Sequence, residues 1–352
     1  MTKDVLIIGQ GICGTFLGWW LEQKGVSFVV IDEQRPHTAS RAAAGLINPV
    51  TGRRIVKTWM IDELLSFAEK AYDELGAALQ QSCLKQTQVV DFFPTAQMRL
   101  AFLQRFEEDT QYLQMPADDH SYEQLFRYDL GYGVITPCYL ADLPKLLPAF
   151  RQRLLQQGVL IEAPFDHQSL IVEAQHIKYN DITAGRIIFC DGIQSAESPY
   201  FSRLPFAPNK GEALIVDIPD LSSTTTVFKK GMTLAPWKDS LYWVGSSYEW
   251  SFSDPDPTET FKQRTEALLN DWLKVPFRII DHIASVRPAT LERRPFVGFH
   301  PSHPAVGILN GMGTKGCSLA PYFAHQLAEQ ITEGKPIQPD ADVRRFTKIL
   351  SR

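Results

Sequence analysis

Residues 4–33 read DVLIIGQGICGTFLGWWLEQKGVSFVVIDE, and their pattern sets the fold class. Val5 to Ile8 is an unbroken aliphatic run, the mark of a parallel strand buried on both faces. From Ile12 the apolar spacing turns helical and stops at Gly25, a C-terminal cap; VSFVVID then reads as a second buried strand. In the connecting turn, Gly9 permits the sharp bend, Gly11 lets backbone approach a pyrophosphate, and Gly14 lets the helix lie close on the strand. The helix N-terminus, with the N–H groups of Ile12 and Cys13, faces the phosphates. Asp32 closes the second strand 18 residues after Gly14, with Glu33 beside it, where a carboxylate accepts from ribose hydroxyls and repels a 2′-phosphate. A glycine-rich turn alone binds nothing by necessity; the strand, helix and acidic residue around this one make it a dinucleotide site.

The 352 residues suffice for two packed units or one large discontinuous one, and 44% apolar with 21% charged residues is an ordinary globular balance. A net charge of −5 gives no general electrostatic reason to bind nucleic acid or an anionic membrane. Five cysteines, Cys13, Cys83, Cys138, Cys190 and Cys317, show no metal-ligand spacing and read as reduced thiols. No apolar run approaches the ~18 residues of a membrane span, and the first strand starts too early for a secretory leader, so the expected location is cytoplasmic.

The segment Ser40-Arg41-Ala42-Ala43-Ala44-Gly45 is small enough for backbone to lie against a flat ring, or is a plain loop into the next helix. Residues 61–75 carry a core-facing helical stripe. Short strands are expected at 86–95 and 132–136, with a helix at 97–106 between them. A helix over 140–157 is expected to kink at Pro148. RIIFCDG repeats the buried-strand character and ends in Cys190-Asp191-Gly192, at the strand end where open α/β sheets bind ligands; a simple chain reversal is equally consistent. Residues 211–250 read as antiparallel strands.

A second strand, glycine-rich turn and helix follow in VGILNGMGTKGCSLAPYF. Gly311, Gly313, Thr314, Lys315 and Gly316 do not make a P-loop, since the lysine precedes the last glycine. The helix dipole there again favours negative charge, such as a reduced flavin's pyrimidine edge, with Lys315 adding to it or standing as a solvated lysine. Arg287, in the apolar stretch VRPAT, is suited to a bidentate carboxylate or to an internal salt bridge.

Taken in order, IIGQGICG with Asp32, SRAAAG, IIFCDG, VRPAT with RRPFVGFHP, and GMGTKGCSLAPYFA resemble the D-amino-acid oxidase, glycine oxidase and sarcosine oxidase family. The resemblance implies an α/β protein: a glutathione-reductase-type, Rossmann-like FAD domain from 1–82, 142–208 and 283–352, and an antiparallel substrate domain from 83–141 and 209–282. It places the ADP moiety on Gly9, Gly11, Gly14 and Asp32, with Phe165 near the adenine and Cys190 to Gly192 on the pyrophosphate or ribose side. It runs Arg41 to Gly45 beside the isoalloxazine ring and sets Gly313 to Gly316 at its pyrimidine edge. Arg287 then holds a substrate carboxylate, and Tyr242 and Tyr248 are pocket candidates or ordinary sheet residues. No cysteine lies between Arg287 and Leu309, so FAD is expected to be non-covalent.

The implied function is oxidation of the C–N bond of a small amino acid or secondary amine, with oxygen or another acceptor taking the electrons. Two other readings stay open. One is a tRNA-modifying flavoenzyme acting on a carboxymethylaminomethyl group, with a basic entrance at Arg293, Arg294 and Lys315; the other is a flavin-binding sensor without turnover.

Overall fold

The computed structural model describes residues 1–351. Thr2–Ile8 (β1), Ile12–Gln23 (α1) and Phe28–Ile31 (β2) form the expected strand, helix and strand, with β1 and β2 paired in parallel. Successive side chains of a strand point to opposite faces. Val5, Ile7 and Val30 accordingly join a core with α1, while Leu6, Ile8, Val29 and Ile31 join a second core beneath the sheet. Both faces are covered, which is why the run carries no polar alternation.

Ile182–Phe189 pairs in parallel with β1 on its free side, and Val306–Asn310 pairs in parallel with Ile182–Phe189. The long helix Gly316–Glu333 returns from that last strand and packs beside α1. Both glycine-rich turns thus lie at the same edge of one eight-stranded sheet, although about 300 residues separate them in the chain.

A nine-stranded sheet faces this edge, with eight strands in the order Arg278–Arg287, Asn209–Asp217, Tyr242–Gly245, Met232–Pro236, Val227–Lys230, Leu84–Phe92, Tyr132–Ala141, Leu46–Ile47 and the ninth, Leu113–Gln114, paired with Tyr132–Ala141. It is mixed, not wholly antiparallel: Val227–Lys230 runs parallel to Leu84–Phe92. No hairpin joins those two strands, so no turn dictates their relative direction. Tyr132–Ala141 extends beyond its expected end because its last residues pair with Leu46 and Ile47. The helix Leu143–Gln156, started by the Asp142 carboxylate accepting from Lys145 N at 3.2 Å, continues through Pro148 and forgoes one backbone bond there. All five cysteines are free and buried, and among the described residues no helix is long and apolar enough to cross a membrane.

Candidate active site

The turn after β1 is shaped by contact. A Cβ on Gly14 would lie 1.9 Å from the carbonyl oxygen of Gly9, so only glycine lets α1 sit on the strand end. No side chain caps α1. Ile12 N donates to Ser40 Oγ at 3.1 Å, whereas the N–H groups of Cys13 and Gly14 meet no acceptor among the described residues. Open donors at the positive end of a helix are what an anionic pyrophosphate satisfies.

Asp32 is held in place. One oxygen accepts from Gln10 N at 2.8 Å, and the other from Gln34 N at 2.9 Å and from Arg151 Nη1 at 2.6 Å. Arg151 is buried and also donates to Glu162 at 2.8 Å. A carboxylate offers about four acceptor sites, so capacity remains for a ribose hydroxyl. The sequence reading missed Arg151: within RQRLLQ nothing separates it from Arg153, which pairs with Glu22 instead.

Between the two sheets lies a cavity of ≈ 490 Å³. Gly9, Gly11, Ile12, Cys13, Asp32, Glu33 and Phe165 line one end. The Ser40 to Gly45 segment forms its flank and is tied to the facing sheet by Trp243 Nε1 donating to Ala42 O at 2.9 Å. Arg41 lines this flank, and burial works against its charge. Cys190, Asp191 and Gly192 form part of the wall, and the Asp191 carboxyl, pushed up to about 7 by burial, pairs with the Ser195 hydroxyl.

At the other end, Gly313, Thr314, Lys315 and Gly316 line the cavity. The helix beginning at Gly316 has no side-chain cap, so its first N–H groups face the same space. Gly311 is not part of the wall: it packs against Thr290 and Phe296, holding the turn from behind. Gly14 does not line the cavity either: it lets the helix pack on the strand end, and what it offers a cofactor is its open N–H.

Lys315 is not a solvated lysine. It is half-buried with no salt-bridge partner among the described residues, and desolvation brings its pKa from 10.5 down to about 8. The folded value lies below the unfolded one, so folding disfavours the proton. The resulting penalty is full below pH 8 and is relieved as pH rises from about 8 to 10.5. Urea unfolding of FAD-stripped protein should show stability gained over that window, and Lys315→Met should flatten the gain; an unchanged slope assigns it to other groups.

Arg287 reaches the cavity from the end of its strand. Its Nη1 donates to Asn209 Oδ1 at 2.6 Å and to Ser247 O at 3.3 Å, and its guanidinium lies 5.5 Å from the Tyr248 ring centre. It lies across Gly211, where a Cβ would fall 1.8 Å from Nη2. Among the described residues no carboxylate pairs with it, so the salt-bridge alternative fails, and burial works against a charge that lacks a counterion.

The two tyrosines part company. Tyr248 is 50% exposed beside Arg287, but outside the cavity wall. Tyr242 is not a site residue: alternation points it to the opposite face, where its hydroxyl donates to Leu221 O at 2.6 Å within a buried core. Tyr242→Phe should therefore cost about 1 kcal/mol of stability and leave flavin reduction rates at wild type. A slowed reduction at unchanged folding would restore its catalytic candidacy.

The facing sheet also brings in an unforeseen cation. Lys229 lines the cavity, and its Nζ donates to Asp91 at 2.7 Å across the adjacent strand. In VFKKG the alternation gave the only signal, and it does not tell which of the two lysines faces inward.

The family model described as FAD dependent oxidoreductase matches residues 4–330. Glycine oxidase of Pseudomonas aeruginosa is 22% identical, with 96% of this chain and 97% of that protein covered. Among solved structures, glycine oxidase from Geobacillus kaustophilus superposes with a TM-score of 0.79 at 19% identity, covering 96% of each chain. Iminodiacetate oxidase from Chelativorans sp. BNC1 gives 0.74 at 21% identity, covering 95% of this chain and 96% of that one. The open donors of two converging helices, the anchored Asp32 and the cavity joining them suit the cofactor that this match names. The chain belongs to the family of FAD-dependent oxidoreductases, and FAD is its cofactor.

Proposed function

We propose that the protein oxidises the C–N bond of a small amino acid or N-substituted glycine to an imine, which water converts to a carbonyl acid and an amine. The observation that carries this reading is the Arg287 guanidinium, half-buried in the cavity wall with donors to spare and no acid partner. A substrate carboxylate supplies the missing charge and accepts two parallel bonds from the fork. Asn209, Ser247 and Tyr248 fix the plane of that fork.

The remaining residues take roles by position. Gly9, Gly11, Ile12, Cys13 and Gly14 cradle the pyrophosphate, and Asp32 with Glu33 holds a ribose. Phe165 stands near the adenine, Cys190 to Gly192 on the pyrophosphate or ribose side, Ser40 to Gly45 beside the ring system, and Gly313 to Gly316 with Lys315 at its pyrimidine edge. When bound, the flavin supplies a two-electron acceptor that takes the hydrogen of the amine-bearing carbon. With no cysteine between Arg287 and Leu309 to tether it, FAD is held non-covalently. No Asp, Glu or His of the facing sheet lines the cavity, so the chain's contribution there is orientation of the substrate.

Neither alternative gains an observation. Of the basic entrance imagined for a tRNA, Arg294 lies over the Trp59 ring at 4.3 Å, Arg293 is absent from the cavity wall, and Lys315 is inside it. A sensor has no need of a guanidinium without an acid partner in the cavity wall.

Product analysis tests the reading. Incubation with glycine, sarcosine, N-ethylglycine and the diacid iminodiacetate should release glyoxylate and the matching amine in equal amounts from at least one. If none yields a carbonyl acid, the amine-oxidation reading is wrong. Peroxide formed in air at the same yield identifies oxygen as the acceptor; without peroxide, a different acceptor completes the cycle.

A further inference from the structure

The carboxylates that line the cavity are confined to one side of it. Asp32, Glu33 and Asp191 all belong to the parallel-sheet side, two at the end of β2 and one after Ile182–Phe189. The facing sheet presents Arg287 and Lys229 and no acid, while the other lining cations, Arg35, Arg41 and Lys315, stand on the parallel-sheet side. Under the proposed function, Arg287 meets the substrate carboxylate and Lys315 the flavin's pyrimidine edge. On the facing sheet Lys229 is left over.

Its placement follows from strand register. Lys229 pairs with Asp91 on one side, and through Thr233 and Gly245 with Ala213 and Ile283 on the other. Lys229, Thr233, Gly245, Ala213 and Ile283 all line the cavity, so they form one row across its wall. The row is lowest in the middle, where the side chains are small. From Ala213 to Lys229 it crosses three strand spacings, about 14 Å at ~4.8 Å each. Arg287 belongs to the same wall, on the strand at the Ile283 end of this row.

Asp91 holds the Lys229 ammonium from behind. It is 3% exposed, lies outside the cavity wall, and its Oδ1 has no hydrogen-bond partner. Lys229 is 25% exposed and spends one of its three donors on Asp91, leaving two for a ligand. A buried ion pair of this kind is not needed for stability, since apolar residues of similar volume serve as well or better. The neighbouring lysine shows what a surface role looks like: Lys230 is turned away and donates to Arg127 O.

We infer that Lys229 binds a second anionic group of the substrate, so that the preferred substrates are N-substituted glycines or amino acids carrying a second carboxylate remote from the amine. This rests on the amine-oxidation reading and narrows its substrate class. The low stretch over Gly245 and Ala213 takes the methylene chain, and the cations at the two ends set its length. A monoacid leaves Lys229 solvated and forgoes one charge-assisted contact.

The test uses the FAD-loaded full chain and matched pairs in which a methyl replaces the second carboxyl. The pairs are iminodiacetate with N-ethylglycine, N-(2-carboxyethyl)glycine with N-propylglycine, and N-(3-carboxypropyl)glycine with N-butylglycine. Anaerobic stopped-flow gives the ratio of reduction rate to dissociation constant for each. At least one diacid should exceed its partner about tenfold or more, the size of one charge-assisted bond. The double variant D91N/K229M, which removes both charges and leaves no lone buried carboxylate, should lower that preference about tenfold. The inference is overturned if every monoacid matches its diacid, or if the double variant keeps the preference. Should the double variant fail to hold FAD, the wild-type comparison decides alone. If monoacids reduce the flavin and diacids do no better, only the Lys229 assignment fails; if no amine of either kind reduces it, the oxidation reading falls with it.

Discussion

Replacing Arg287 with alanine should abolish substrate-driven flavin reduction at millimolar substrate while leaving FAD bound. Removing one partner of a buried, hydrogen-bonded charge pair costs about 2–5 kcal/mol, and every 1.4 kcal/mol is tenfold. The ratio of reduction rate to dissociation constant should fall by about two orders of magnitude or more. The cofactor survives because Arg287 makes its bonds to Asn209 and Ser247, away from the glycine-rich turns. Arg287→Lys should recover only part of the loss, since an ammonium supplies charge without the planar fork. An alanine variant that reduces as fast as the parent would remove Arg287 from substrate binding.

The second large effect is expected at Gly14. An added Cβ meets the Gly9 carbonyl at 1.9 Å and Ile7 Cγ2 at 3.5 Å, and neither the strand end nor the helix start is a flexible side-chain tip. Gly14→Ala must therefore push α1 off β1. Overpacking costs typically 1–3 kcal/mol and occasionally more, and here the clash is with backbone. The displaced element is the one that presents the Cys13 and Gly14 N–H groups to the pyrophosphate. FAD content of the purified variant should drop at least tenfold, with a lowered melting temperature that excess FAD restores in part. Full occupancy would mean that the cofactor does not depend on this contact.

How much of this was legible in the sequence varied with the range of the interaction. β1, α1 and β2 were readable because burial on both faces and a tight turn each leave a local pattern. The wall formed by Ser40 to Gly45 and by Gly313 to Gly316 was readable through the family resemblance. What escaped depends on long-range pairing. Arg151 reaches Asp32 from a helix more than a hundred residues away, and the Lys229–Asp91 pair exists only because two strands without a hairpin run parallel. Tyr242 misled because it does lie in the substrate-side sheet; its face is set by strand register, which one residue of slip would reverse. Gly311 misled in the opposite way: it belongs to the right turn, yet serves the packing behind it.

The most direct test of the account is the visible spectrum of the purified protein without oxygen, before and after adding small amino acids and N-substituted glycines. The account predicts an oxidised-flavin spectrum that is released intact on denaturation, as a non-covalent cofactor must be, and that at least one of these amines bleaches. A flavin spectrum that no amine bleaches would contradict the proposed reaction, and a colourless protein that cannot be reconstituted with FAD would contradict the reading of the site itself.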